Sequence, residues 1–253
     1  MRARAVRSGR LAEAADHHHQ ALTLNQRIGR LGGQATNLGN LGVVYLEQGA
    51  CKLPSTITPR RWPCSASLAT ATARAPPSAG WERSITPWAS STGPRPQALA
   101  SYGQALDLAR TTQSRYPEVV ALLGLAAAHQ HLDHLDQAHS CAQQALTLAR
   151  RTGYRLLEGQ ALTTVAGTQL PQDQPHRAIE HASQALAIQR DTGHRLGQAH
   201  TLLILGHALR TEGADAALPH WQQALALFAE IGTPEADHAH ALVRTCAAAA
   251  DHQ

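Results

Sequence analysis

"QALTLARRTGYRLLEGQALTTVAG", residues 144–167, holds two apolar patterns parted by Gly153. On each side of the glycine the small and aliphatic residues fall at three- and four-residue steps, which is one face of a helix. In one register the opening triplet Gln-Ala-Leu recurs at Gln20, Gln104, Gln144, Gln184 and Gln223, at steps of 84, 40, 40 and 39 residues. The period is therefore about 40 residues, with one copy missing near residue 62.

Other series keep step with the triplet. Upstream of it stand Gly42, Ala126, Ala166 and Gly206, with Leu38, Leu122, Leu162 and Leu202 four residues earlier. Small residues recur at Ala14, Ala98, Ala138, Ala178 and Ala217. A small side chain is needed where two helices cross at short range. Glycines at 29, 153, 193 and 232, each nine residues after its glutamine, close the second helix of each pair. "LEQG", "PQDQP" and "TEGAD" mark the turns inside the pairs. The pattern is that of repeated antiparallel helix pairs in an all-α chain.

Composition agrees. Aromatic residues are only 4% of the chain, with a single Phe, so a core must be built from Ala and Leu, which favours helices over sheets. No apolar run approaches a membrane span, and "MRARAVRSGR" leads into no hydrophobic segment, so a cytoplasmic protein with no membrane partner is expected. Four cysteines without close pairing fit a reducing compartment. The net charge of +4 is concentrated: residues 51–96 carry +5 by themselves, leaving the repeats at −1. A basic face for nucleic acid would be spread along the helices, so no direct nucleic-acid partner is expected.

The series resemble the tetratricopeptide repeat (TPR) family in its longer variety. Leu38, Leu41, Gly42 and Tyr45 match helix A, and Ala98, Tyr102, Ala105 with Ala217, Trp221, Ala224 match helix B. The copies at 138 and 178 carry Ala142 and Ala182 at the aromatic place, so looser packing is expected there. By composition the chain is most similar to the arrays attached to actinobacterial signalling ATPases and antibiotic-regulatory activators. The resemblance implies an α-solenoid whose A helices line a concave groove. Copy by copy, its lining positions become Thr36, Gly39, Val43, Leu46 and Glu47; Val120, Leu123, Ala127, Gln130 and His131; Gln160, Thr163, Gly167, Leu170 and Pro171; and His200, Leu203, His207, Arg210 and Thr211. The implied role is a protein-interaction scaffold for a peptide or partner domain. The alternatives are the sensing arm of a regulator or a truncated product.

No catalytic motif occurs, so no enzyme activity and no cofactor are expected. "DHHHQ" puts His17, His18 and His19 on three sides of a helix, and His131 with His134 lack a further ligand at fixed spacing, so no metal site is expected. Cys64, near Arg60 and Arg61, has neither base nor resolving partner in the sequence.

Three parts of the chain are expected: partial repeats at 1–50, an irregular segment at 51–96, and an array at 97–253 that ends in a capping helix near 235–249. The array is expected to begin mid-repeat at Leu11, with "MRARAVRSGR" in place of most of a first helix A. The segment 51–96 holds 8 of the 13 prolines and 3 of the 4 tryptophans. Back-translated and read two bases out of frame, it can regain the spacings of a helix B and of the next Leu-Gly pair. That favours a frameshifted copy over a Pro/Ser/Thr-rich disordered linker. Residues 11–50 should then lack a partner on one face. Limited proteolysis is expected to cut first between Arg60 and Arg95 and to leave a resistant fragment starting near Pro96; resistance throughout that stretch would argue for a folded insertion.

Overall fold

The computed structural model describes residues 2–51, 95–210, 213–233 and 235–250, and the frameshift and linker readings of the segment lie outside them. The described residues form helices and no strand. They are α1 (Arg2–Arg27), α2 (Leu31–Cys51), α3 (Arg95–Thr111), α4 (Arg115–Gln130), α5 (Leu135–Thr152), α6 (Arg155–Gln169), α7 (Pro175–Asp191), α8 (Arg195–Leu209), α9 (Ala214–Ile231) and α10 (Glu235–Ala250). Each packs on its neighbours in sequence, as an α-solenoid of hairpins requires. In the repeat register α2, α4, α6, α8 and α10 are A helices, and the odd-numbered ones are B helices.

The B helices end alike. The left-handed residue after α5 is Gly153, at φ 72°, and Tyr154 N–H donates back to the Ala149 carbonyl. His194 to Gln189 and Thr233 to Phe228 repeat that bond. After α3 the place falls to Gln113, which takes φ 52° without being glycine, and Ser114 still donates to Ala109. The repeat register thus holds even where its glycine is lost.

Two expectations change at the N-terminal end. The first helix already begins at Arg2, ahead of the expected start of the array at Leu11. More important, residues 11–50 do not lack a partner: α2 packs directly on α3, across the interruption, as A and B of one hairpin. The reason is a fit between side chains. The Tyr102 ring lies so close to Gly42 of α2 that a Cβ there would sit 2.6 Å from the phenol carbon, and a Cβ at Gly124 of α4 would also collide with that ring. At the far end Trp221 of α9 fills the space over Gly206 of α8 in the same way, its indole N–H donating to the Leu203 carbonyl at 3.4 Å.

In the middle copies alanine faces alanine at these register positions. Ala126, Ala142, Ala166 and Ala182 are all fully enclosed, so the looser packing expected there is not found. Where one helix carries an aromatic ring the other carries glycine, and where both carry alanine the pair still closes without exposed space.

The A helices also touch one another, α2 on α4, α4 on α6 and α6 on α8, whereas no described B helix meets the next B helix as closely. The A row therefore lies on the inside of the curve.

Because α2 and α3 hold each other, a chain nicked between Arg60 and Arg95 is expected to elute as one species, its two fragments separating only in denaturant. Gly42→Ala should cost about 1–3 kcal/mol by forcing Tyr102 aside. A melting curve unchanged by that substitution would show that the close approach is not what joins the two parts.

Candidate functional site

The inner row of A helices carries the groove positions, and the structure divides them. Glu47 on α2, Leu123 and Gln130 on α4, and Gln160 on α6 are partly exposed, Leu123 also packing against the core. The Gln130 amide lies over Gly167 of α6, 3.6 Å from where a Cβ would be, so α4 and α6 share that stretch of surface. Val43 is 50% exposed beside them. Arg210 caps α8 in the open.

The others turn inward. Thr163 of α6 meets Thr201 of α8 at 2.7 Å, and the buried Gln189 amide of α7 ties both, its Nε2 donating to Thr163 and its Oε1 accepting from Thr201, each at 2.8 Å. Gln189 also donates to the Gly159 carbonyl, so one amide satisfies three groups and fixes how α6, α7 and α8 meet. Leu203 is 4% exposed and belongs to the core. His131, at the C-cap of α4, is buried. His200 lies against Phe228 and His207 against Trp221, each with ring centroids 5.3 Å apart. These residues join helices and leave little surface for a ligand. An A helix of 15 residues offers one face to the groove and flanks to its neighbours, and a carried-over position list does not separate the two.

Burial lowers the His207 imidazole to about 3, with the charges of His238 and Arg210 acting in the same direction. His200 is lowered too, by burial first, against an opposing pull from Glu235. Both are therefore neutral in the folded chain at neutral pH.

Other titratable side chains were not anticipated as they lie. His129 and His134, not His131 and His134, come together, their Nδ1 atoms 3.4 Å apart. Among the described residues no group of three or more His, Cys, Asp or Glu side chains could hold a metal ion. Cys141 is half-buried, its thiol raised above its usual range by burial, Cys246 is buried, and Cys64 lies outside the described residues. No described helix is long and apolar enough to cross a membrane.

Sequence reasoning also missed a polar network repeated at the 40-residue period. Glu118 accepts from Arg110 and Arg115, and Glu158 accepts from Arg150 and Arg155. The signal was present as an Arg, Arg, Glu set recurring in phase with the triplet.

With this geometry in view, the fold is that of a TPR-like helical repeat. No family model matches the chain, and no curated protein matches it. Solved structures do. BtubC (BKLC) from P. vanneervenii superposes with a TM-score of 0.57 at 12% identity, over 96% of this chain and 91% of that one. A Podosopora anserina putative kinesin light chain with nearly identical TPR-like repeats gives 0.54 at 14% identity, over 89% and 90%. The apo form of RapI gives 0.54 at 10% identity, over 96% and 72%. At these identities the likeness is one of fold.

The pH dependence of stability follows from His207. Unfolded, it takes up a proton near 6.5; folded, it resists until about 3. The contribution of neutral His207 is thus full above pH 6.5 and is lost as pH falls from there towards 3. The melting temperature is expected to drop on acidification from pH 7 to pH 4.5. The drop should be smaller in His207→Leu; an equal drop in both chains would place the acid sensitivity elsewhere.

Proposed function

We propose that the inner face of α2, α4, α6 and α8 binds a peptide or a partner domain, making the chain an interaction scaffold in a regulatory system. The observation that carries the reading is the continuity of the A row. Because α2 joins α3 and touches α4, and α4 touches α6, the A helices that carry the partly exposed Glu47, Leu123, Gln130 and Gln160 form one unbroken row, which supports a shared binding face. Amide side chains can hold the backbone of an extended or helical peptide, while Val43 and Leu123 offer apolar contact. The TPR-like neighbours support a repeat scaffold. On this reading the partner is a protein or peptide met in the cytosol, the contact set is Glu47, Leu123, Gln130, Gln160 and Arg210, and neither cofactor nor catalysis is called for. Thr163, His200, Leu203 and His207 then act by holding the A row in shape, with His131 closing α4.

A displayed library of random peptides, selected on the full chain, tests this. Selected peptides should lose at least about tenfold in affinity, or 1.4 kcal/mol, when Gln130→Arg and Gln160→Arg are combined, with the melting curve unchanged. Selection of no peptide, or of peptides indifferent to the pair, would overturn the inner-face reading.

A further inference from the structure

On the opposite side, where the B helices spread apart, a cleft opens between α3, α4 and α5. Its charged lining is Arg110, Arg115, Arg151 and Glu118. The buried Glu118 carboxylate accepts from Arg110 Nε at 3.4 Å and from Arg115 Nη1 at 2.9 Å, and Arg110 Nη2 donates to Gln144 at 3.5 Å. One carboxylate thereby fixes two guanidinium groups, each half-exposed and with N–H donors to spare. Arg151 makes no ion pair with the described residues, so the cleft holds three positive charges against one negative.

The repeats provide an internal control. Forty residues on, the same network forms: Glu158 accepts from Arg150 at 3.1 Å and from Arg155 at 2.9 Å, and Arg150 reaches Gln184 at 3.3 Å. The network itself therefore belongs to the repeat. What differs is the register place of Arg151, held by Asp191 in the next copy and by Glu230 in the last. Glu230 pairs there with Arg195, the counterpart of Arg115 and Arg155. The last copy has Gln198 at the place of Glu118 and Glu158, and Glu230 supplies the carboxylate to Arg195 there from the B helix; in the first cleft, where Glu118 is present, that B-helix place holds an arginine, and Ser140 stands where the next copy has Glu180.

We propose that the α3–α4–α5 cleft binds an acidic segment of a partner protein, whose carboxylate takes the place that Glu230 fills in the last repeat. Two oriented guanidiniums and a third within the same cleft match the planar, two-oxygen geometry of a carboxylate. A nucleic acid fits less well. A phosphate backbone running on to the next cleft would meet Glu158, Glu180 and Asp191 against Arg150 and Arg155. The site lies off the inner face and does not depend on what that face binds.

The test uses the full chain and a fluorescein-labelled hexaglutamate peptide, followed by anisotropy at low ionic strength. Saturable one-to-one binding is expected, weakened by at least about tenfold in Arg151→Asp without a change in melting temperature. Glu180→Ser and Asp191→Arg, introduced together, should add a second site of similar affinity. A peptide selected on the inner face should bind Arg151→Asp as it binds the parent chain, which separates the two surfaces. The proposal is overturned if hexaglutamine binds as tightly as hexaglutamate, or if Arg151→Asp binds hexaglutamate unchanged. It is overturned as well if random single-stranded DNA binds more tightly than the peptide and loses affinity through the same substitution.

Discussion

The contact of Tyr102 with Gly42 on one side and Gly124 on the other holds the architecture together. Neither glycine has room for a methyl group, so the ring fixes the distance between α2, α3 and α4 by steric exclusion. The helices before residue 51 join the array through α2, by this contact and by Leu38, which packs into the core of the following repeats. Burial, with the Glu47 charge nearby, pushes the Tyr102 phenol far above its ordinary range, so the ring stays neutral in its slot at any ordinary pH. A larger residue at either glycine would force the ring aside and loosen the joint between α2, α3 and α4.

Much of this was legible in the sequence. The in-phase leucines and small residues give the helix register, and they place the last helix at 235–249 where α10 runs Glu235–Ala250. The glycine series locates the left-handed turns, and period alone points to Gln113 as the residue that replaces one. The period alone hides the union of α2 with α3, because an 84-residue step fits two repeats with one spoiled. The clue lay in pairs of positions: a glycine on helix A goes with an aromatic residue on helix B, as in Gly206 with Trp221. Gly42 therefore called for Tyr102.

The candidate site was less legible, for a geometric reason. A position in a repeat says which helix a residue occupies but not which neighbour it meets. His200 and His207 face inward because α9 offers Phe228 and Trp221 there, whereas Gln130 and Gln160 stay at the surface. Thr163 is open on a helical wheel, yet it is taken up by Thr201 and by a glutamine from a third helix. Such ties need three helices in register, and one helix pattern cannot show them.

The junction between Cys51 and Arg95 has a consequence for how such a chain can change. In a hairpin the end of helix A and the start of helix B are neighbours, so whatever connects them leaves and returns at almost one point on the surface. By loop-closure statistics, lengthening such a connection from four residues to forty costs only ~2 kcal/mol. A well-fitted helix contact exceeds that amount. The covalent path and the spatial order of the helices are thereby uncoupled: side-chain shape decides which A helix a B helix accepts. A helical array of this kind carries a permissive port, through which sequence can be gained, lost or replaced without a change in the stack.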